Sequence, residues 1–161
     1  MYFRIEQKRS YKYCEIHCRL SCKQGKAMDL YELPFAKIIV LRDDIAEVMI
    51  NDGVIMDMSM VQQYHDFLLS HLRAPFSLLV NKVNAYSYDF DSQEKLATLK
   101  EINAMAVIAY NRVTRIATEN LASFPRDVKW NLRIFSNREE AMAWLLSEQE
   151  SVHKHLAEDV H

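Results

Sequence analysis

Residues 133–145 read RIFSNREEAMAWL, and this stretch decides the fold better than any other part of the chain. Ser136 precedes Glu139 by three residues, which is the spacing of a capping box at a helix start. The following apolar positions, Ala141, Trp144 and Leu145, fit one face of a helix. Just upstream, alternating apolar residues at 130, 132 and 134 predict a strand. The chain therefore closes with a strand followed by a capped helix.

The same alternation of strands and helices extends upstream from this stretch. Residues 36–41 and 45–50 predict a hairpin, and the apolar runs 76–80 and 104–109 predict buried strands. Helices are predicted from a capping box at Ser59-Met60-Val61-Gln62, from a cap at Asp91, and over Val113, Ile116, Ala117, Leu121 and Phe124. The order ββαβαβαβα predicts an α/β domain with a mixed, mostly parallel sheet of about five strands and four helices.

Composition limits the class of protein. The chain has 161 residues, half of them apolar, with 2 Gly and 3 Pro, which indicates one domain of regular elements joined by short loops. No apolar run approaches the ~20 residues of a membrane span, and no signal-peptide pattern begins the chain. We therefore expect a cytoplasmic protein. Residues 28–161 are net acidic, which disfavours nucleic acid as a partner.

A change of composition at Met28 divides the chain. Residues 1–27 hold seven Lys or Arg against two Asp or Glu, together with all three cysteines. We expect this segment to be a disordered basic tail or an over-extended start of translation. Residues 28–148 are predicted to form the domain, and residues 149–161 a helical or frayed tail in which the apolar stripe thins.

The amino-acid sequence of the second half resembles that of the bacterial SpoIIAA-like group, often labelled STAS or SEC14-domain proteins. Residues 106–108 resemble the core strand of that family. Phe135, with Glu140-Ala141 and Trp144-Leu145, resembles its closing signature, and residues 51–53 resemble the turn after its second strand. The resemblance covers residues 29–147. It implies a SpoIIAA-like, STAS-like single domain with a regulatory or binding function.

The family's phosphorylatable antagonists carry an Asp-Ser-Ser/Thr-Gly motif between the third strand and the second helix. Here the junction 83–92 contains no glycine, and its serines stand in another frame. The resemblance therefore does not carry over that phosphorylation switch. Ser87 and Ser92 remain candidate phosphosites only because they are serines near a helix start.

The candidate site is the rim beyond the carboxyl ends of the strands, where open α/β sheets bind ligands. A cation and amides beside helix starts suit an anionic group. The candidate ligand-binding or partner-binding residues are Asn81, Lys82, Asn84, Tyr86, Ser87, Tyr88, Tyr110, Asn111 and Arg112. Alternatively, Tyr86, Tyr88 and Phe90 alternate with polar residues as a strand extension that packs its aromatic rings on the domain. Asp91 is then only a helix cap.

No catalytic arrangement or cofactor motif is found. A nucleophile elbow and a glycine-rich phosphate loop are both missing. Cys14, Cys18 and Cys22 with His17 are a permissible zinc set, but their even spacing is not that of paired metal ligands, and free thiols are the expectation. We predict no metal, no cofactor and no catalytic residues.

Three functions follow from these observations. The first is a non-enzymatic STAS-like regulatory or binding module that acts through a partner protein or a small anionic ligand at the rim. The second is a homodimer that pairs through the sheet beside the first hairpin. The third is an enzyme with an unrecognised site, for which Lys82, Asp89 and the tyrosines are the available groups.

Overall fold

The computed structural model describes residues 6–8 and 28–160, and these residues form an α/β fold, which confirms the predicted class. The helices are α1 (Met58–His71), α2 (Phe90–Lys95), α3 (Arg112–Ala122) and α4 (Arg138–Glu158). The strands are β1 (Glu6–Lys8), β2 (Asp29–Leu33), β3 (Ala36–Arg42), β4 (Ile45–Ile50), β5 (Ile55–Met56), β6 (Phe76–Asn81), β7 (Ser87–Tyr88), β8 (Ile102–Ile108) and β9 (Leu132–Phe135).

Seven strands form one mixed sheet in the order β1-β2-β3-β4-β6-β8-β9. The pairs from β1 to β4 are antiparallel, and the pairs from β4 through β6 and β8 to β9 are parallel. The predicted count of about five strands is therefore too low. Strand β2 was not predicted because its sequence, DLYEL, does not alternate apolar and polar residues. In the structure all five of its residues are half-buried.

The two faces of the sheet carry different helices, because successive side chains along a strand point to opposite faces. Leu78 belongs to the larger core, which contains residues of α1 and Leu121 of α3. Leu79 belongs to the smaller core, which contains Ala141 and Leu145 of α4. Both leucines are fully buried. Strand β6 therefore serves two cores at once, as expected for a central strand.

The helix caps differ from the predicted ones. Asp57 caps α1 by accepting a hydrogen bond from the Met60 amide at 2.8 Å, so Ser59 lies inside the first turn. Asp89, not Asp91, caps α2, and Asn137, not Ser136, caps α4. In each case an Asp or Asn near the predicted position supplies the side-chain oxygen, and these residues cap as well as serine.

Helix α3 lies where its apolar positions predicted a helix, but not all of those positions face the core. Val113 is 78% exposed and Ile116 is 44% exposed. Thr118 is the buried residue of this helix, and its hydroxyl donates to the Thr114 carbonyl at 2.8 Å. This bond within the helix satisfies the hydroxyl, so a threonine can face the core.

Helix α4 continues well past residue 148, to Glu158. Gln149 is fully buried, and its amide group donates to Asp44 Oδ2 at 2.9 Å and to the Pro75 carbonyl at 3.0 Å. The ring of His153 also lies 2.9 Å from Asp44 Oδ2. The first part of the predicted tail is thus helical and packs against the sheet. No helix among residues 28–160 has the length and apolar character to span a membrane.

Candidate functional site

The predicted rim residues divide between the two faces of the sheet. Asn81 ends β6 and lies on the α4 face, where its amide group donates to Glu47 at 2.9 Å. Lys82 comes one residue later and lies on the opposite face, beside the aromatic rings of Tyr86 and Tyr88. The cause is the period of two along an extended chain. The structure therefore builds two polar clusters where the sequence predicted one.

On the face opposite α4, a cavity lies between the sheet, helices α1 and α3, and the segment that follows α2. The volume of the cavity, with its open mouth included, is about 510 Å³. The centre of a water molecule can reach about 40 Å³ of this space. Residues far apart in the sequence line it together: Val48, Ile50, Met56, Tyr64, Val80, Lys82, Tyr86, Tyr88, Leu96, Ala97, Met105, Val107, Thr118, Leu121, Trp130 and Leu132. Apolar walls with a few convergent polar groups are typical of small-molecule sites.

Among the described residues, Lys82 is the only cation on the walls of this cavity. Its ammonium lies 5.1 Å from the centroid of the Tyr86 ring and 5.9 Å from that of the Tyr88 ring, within the range of cation–π attraction. Among residues 28–160, no carboxylate lies within ion-pair distance of it. Burial alone lowers the pKa of Lys82 to about 8, because an apolar wall solvates a charge poorly.

Three tyrosine hydroxyls accompany this amine. Burial raises the pKa of Tyr86 to about 12 and holds those of Tyr64 and Tyr88 further above the ordinary value of 10.0. The Tyr86 hydroxyl is buried and has no hydrogen-bond partner within the described part of the chain. The Tyr88 hydroxyl lies close enough to influence that pKa, but no hydrogen bond of normal geometry joins the two hydroxyls. All three hydroxyls therefore stay protonated at neutral pH.

A second, two-stranded sheet positions the tyrosines. Strands β5 and β7 pair in parallel, with Met56 opposite Tyr88. The turn before β5 supports this pairing, since the Gly53 amide donates to the Ala85 carbonyl at 2.7 Å. Gly53 has φ +74°, a conformation that other residues rarely adopt. Tyr86 and Tyr88 point inward while Ser87 between them is exposed, as the strand-extension interpretation predicts. The same interpretation is wrong for Phe90, which is 75% exposed because it begins α2 and no longer follows the period of a strand.

The cluster on the α4 face is an ion pair extended by two hydrogen bonds. Glu47 is almost fully buried, and its Oε2 accepts from the Arg138 guanidinium at 2.8 and 3.1 Å. Asn81 donates to Glu47 Oε1 and accepts from the Tyr110 hydroxyl at 2.9 Å. Sequence reasoning missed Glu47 and Arg138. The available signal was a single acidic residue within the apolar strand Ile45–Ile50, since a buried carboxylate needs a partner.

Two of the other predicted residues form structural hydrogen bonds. Asn84 donates to the Ile50 carbonyl at 2.9 Å, and Asn111 caps α3 by accepting from the Thr114 amide at 2.9 Å. Arg112 is the exposed first residue of that helix. Ser87 is exposed and Ser92 is fully buried, so the two candidate phosphosites differ in access.

The predicted zinc set, which comprises Cys14, Cys18, Cys22 and His17, lies outside the described residues. Within residues 6–8 and 28–160, no group of three or more His, Cys, Asp or Glu side chains could hold a metal ion. Comparison of the chain with protein-family models, curated proteins and solved structures yields no match. Membership of the STAS-like family stays a prediction.

Proposed function

We propose that this chain is a STAS-like binding module whose cavity holds a small, largely apolar ligand through one anionic group. The carrying observation is the Lys82 ammonium, which lies against apolar walls without a carboxylate partner in the described part of the chain. Desolvating a charge costs several kcal/mol unless it is paired, and an anionic ligand would supply the pair. The unsatisfied Tyr86 hydroxyl is a donor for the same group.

The shape and chemistry of the walls limit the ligand. One cation suits one negative charge, and the apolar residues around it suit a hydrocarbon body. The Tyr86 and Tyr88 rings, packed edge to face with centroids 5.7 Å apart, favour contact with a flat ring. A small aromatic or aliphatic carboxylate fits this description.

Titration with benzoate and with its neutral counterpart, benzyl alcohol, tests the proposal at pH 7. We expect benzoate to bind at least about tenfold more tightly, because a charge-assisted hydrogen bond contributes about 1.5 to 3 kcal/mol. The Lys82→Met variant should lose this preference and keep the apolar contacts. NMR shifts of the cavity residues Trp130 and Met105 report binding. Equal affinities in the wild-type protein, or shifts confined to residues outside the cavity, would contradict the proposal.

The homodimer is the second candidate function, and it stays a prediction. The sheet beside the first hairpin continues into β2 and β1, so β3 is an inner strand, paired on both sides. A two-fold pairing would therefore use another surface. A monomeric mass at micromolar concentration, measured by light scattering, would exclude this function.

A further inference from the structure

We infer that Lys82 captures carbonyl compounds covalently, as a reversible imine with a small apolar aldehyde that enters the tyrosine-lined cavity. The inference rests on the proposed function, because it uses the same cavity and a ligand body of the same size. It adds a chemical class, the aldehydes, and a covalent bond at one named atom, Nζ of Lys82.

The placement of Lys82 favours attack on a carbonyl. Only a neutral amine is a nucleophile, and a carboxylate partner would hold the proton on it. No described carboxylate lies within 4.0 Å of Lys82, and the cavity walls around it are largely apolar. The pKa of about 8 leaves roughly a tenth of the amine neutral at pH 7, against less than about a thousandth for an ordinary lysine.

The titratable groups on the cavity walls do not disfavour the neutral form of the Lys82 amine. Lys82 meets Tyr64 from α1 and Tyr86 and Tyr88 from β7 and the loop before it, all with a pKa raised by burial. These hydroxyls are neutral at pH 7 and carry protons that can be donated. No acid is found among the wall residues in the part of the chain that the structure describes.

The reaction balances without an oxidant or a reductant. The nitrogen lone pair attacks the carbonyl carbon, the C–N bond forms, and the π pair of the carbonyl moves to oxygen, which takes a proton as the nitrogen loses the first of its two N–H protons. The resulting carbinolamine loses its hydroxyl as water when the second N–H proton leaves nitrogen. The products are an imine and one water molecule. A largely apolar cavity limits the water that would reverse the step.

The test is reductive trapping with benzaldehyde and, separately, with butanal, using cyanoborohydride at pH 7 on the whole chain. Lys100 is exposed and serves as the reference within the same molecule. Peptide mapping by mass spectrometry gives the rate at each lysine. We expect Lys82 to be alkylated at least about tenfold faster than Lys100 in the folded protein, and equally fast in urea.

Two separate measurements on the wild-type protein, aldehyde trapping at Lys82 and benzoate binding, distinguish this inference from the proposed function. Arginine forms no imine with simple aldehydes, so trapping at this position should disappear in Lys82→Arg. Folded wild-type protein in which Lys82 reacts no faster than Lys100 with either aldehyde would overturn the inference. In that case the titration with benzoate remains the test of the proposed anion site. If trapping at Lys82 is fast and benzoate does not bind, the imine inference is supported and the proposed anion site is wrong.

Discussion

At the scale of single residues, the cavity contains groups that cost folding energy. The charge of Lys82 is poorly solvated, and the Tyr86 hydroxyl is buried without a partner within the described part of the chain. Such groups are more common at binding sites than in structural cores, because selection for binding tolerates a local loss of stability. Their position together in one cavity is the observation that most favours the proposed binding site.

The Lys82→Met variant should be more stable than the wild-type protein at pH 7, by about 1 to 3 kcal/mol, because an apolar side chain of similar length removes the burial penalty. Urea denaturation followed by circular dichroism measures the difference. Lys37 is exposed in β3, and Lys37→Met is the matched control, expected to change stability by less than about 0.5 kcal/mol. A destabilised Lys82→Met protein would show that the ammonium has a structural partner.

At the scale of elements, a buried polar network holds α4 to the sheet. Asp44 is fully buried and contacts Arg42 at 3.0 Å, Gln149 at 2.9 Å and His153 at 2.9 Å. Gln149 also accepts from Ser77 at 2.6 Å. The network joins the turn after β3, the start of β6 and the second half of α4. It explains why the helix stays docked beyond its last buried leucine, Leu145.

The Asp44→Asn variant should lose about 2 to 3 kcal/mol of stability at pH 7. Burial by itself raises the pKa of Asp44, but hydrogen bonds from Gln149 and His153 and the charge of Arg42 outweigh it, so the net pKa is lowered. A lowered folded pKa contributes stability above the unfolded pKa of about 3.8, and this contribution disappears as pH falls through the folded value. The difference in the free energy of unfolding between Asp44→Asn and the wild-type protein should therefore be smaller at pH 3 than at pH 7.

The neighbouring residue supplies a control for that experiment. Asp43 forms a more exposed ion pair with Arg73, and Asp43→Asn should cost less than about 0.5 kcal/mol. Urea denaturation of both variants, at pH 7 and pH 3, gives the four values needed. Equal losses in the two variants would mean that the buried network contributes no more than a surface pair.

Sequence reasoning found the elements with strong periodicity and missed those fixed by tertiary contacts. Strands β3, β4, β6, β8 and β9 have apolar runs that no other local structure explains as well. Strands β5 and β7 have two residues each, and a two-residue pattern carries no period. Of the predicted rim residues, Lys82, Tyr86 and Tyr88 line the cavity. The contribution of Tyr64 could not be predicted, because it depends on how distant elements pack, and Glu47 was marked only as an acid within an apolar strand.

At the scale of the whole molecule, the buried titratable groups determine how stability depends on pH. Burial lowers the pKa of His65, so its contribution is present above the unfolded value of 6.5 and is lost below it. The lowered pKa of Lys82 makes stability rise between about pH 8 and 10.5. The raised values of Tyr64, Tyr86 and Tyr88 make stability fall above pH 10.0.

We therefore expect the free energy of unfolding to rise from pH 6 to a maximum at about pH 9 to 10 and to fall at higher pH. Urea denaturation at pH 6, 8, 9.5 and 11 tests this profile. In Lys82→Met the rise above pH 8 should be lost, while the fall above pH 10 remains. A wild-type maximum at or below pH 7 would mean that the amine and the tyrosines are better solvated than the structure indicates.

The division of Asn81 and Lys82 between opposite faces of the sheet has a consequence for evolution. Substitutions on one face can alter the cavity while the Glu47–Arg138 cluster on the other face keeps its contacts, so the two surfaces are free to diverge separately. A change of length is different. One residue inserted after Val80 would turn the asparagine toward the tyrosines and the lysine toward Glu47, exchanging the chemistry of both surfaces in a single event.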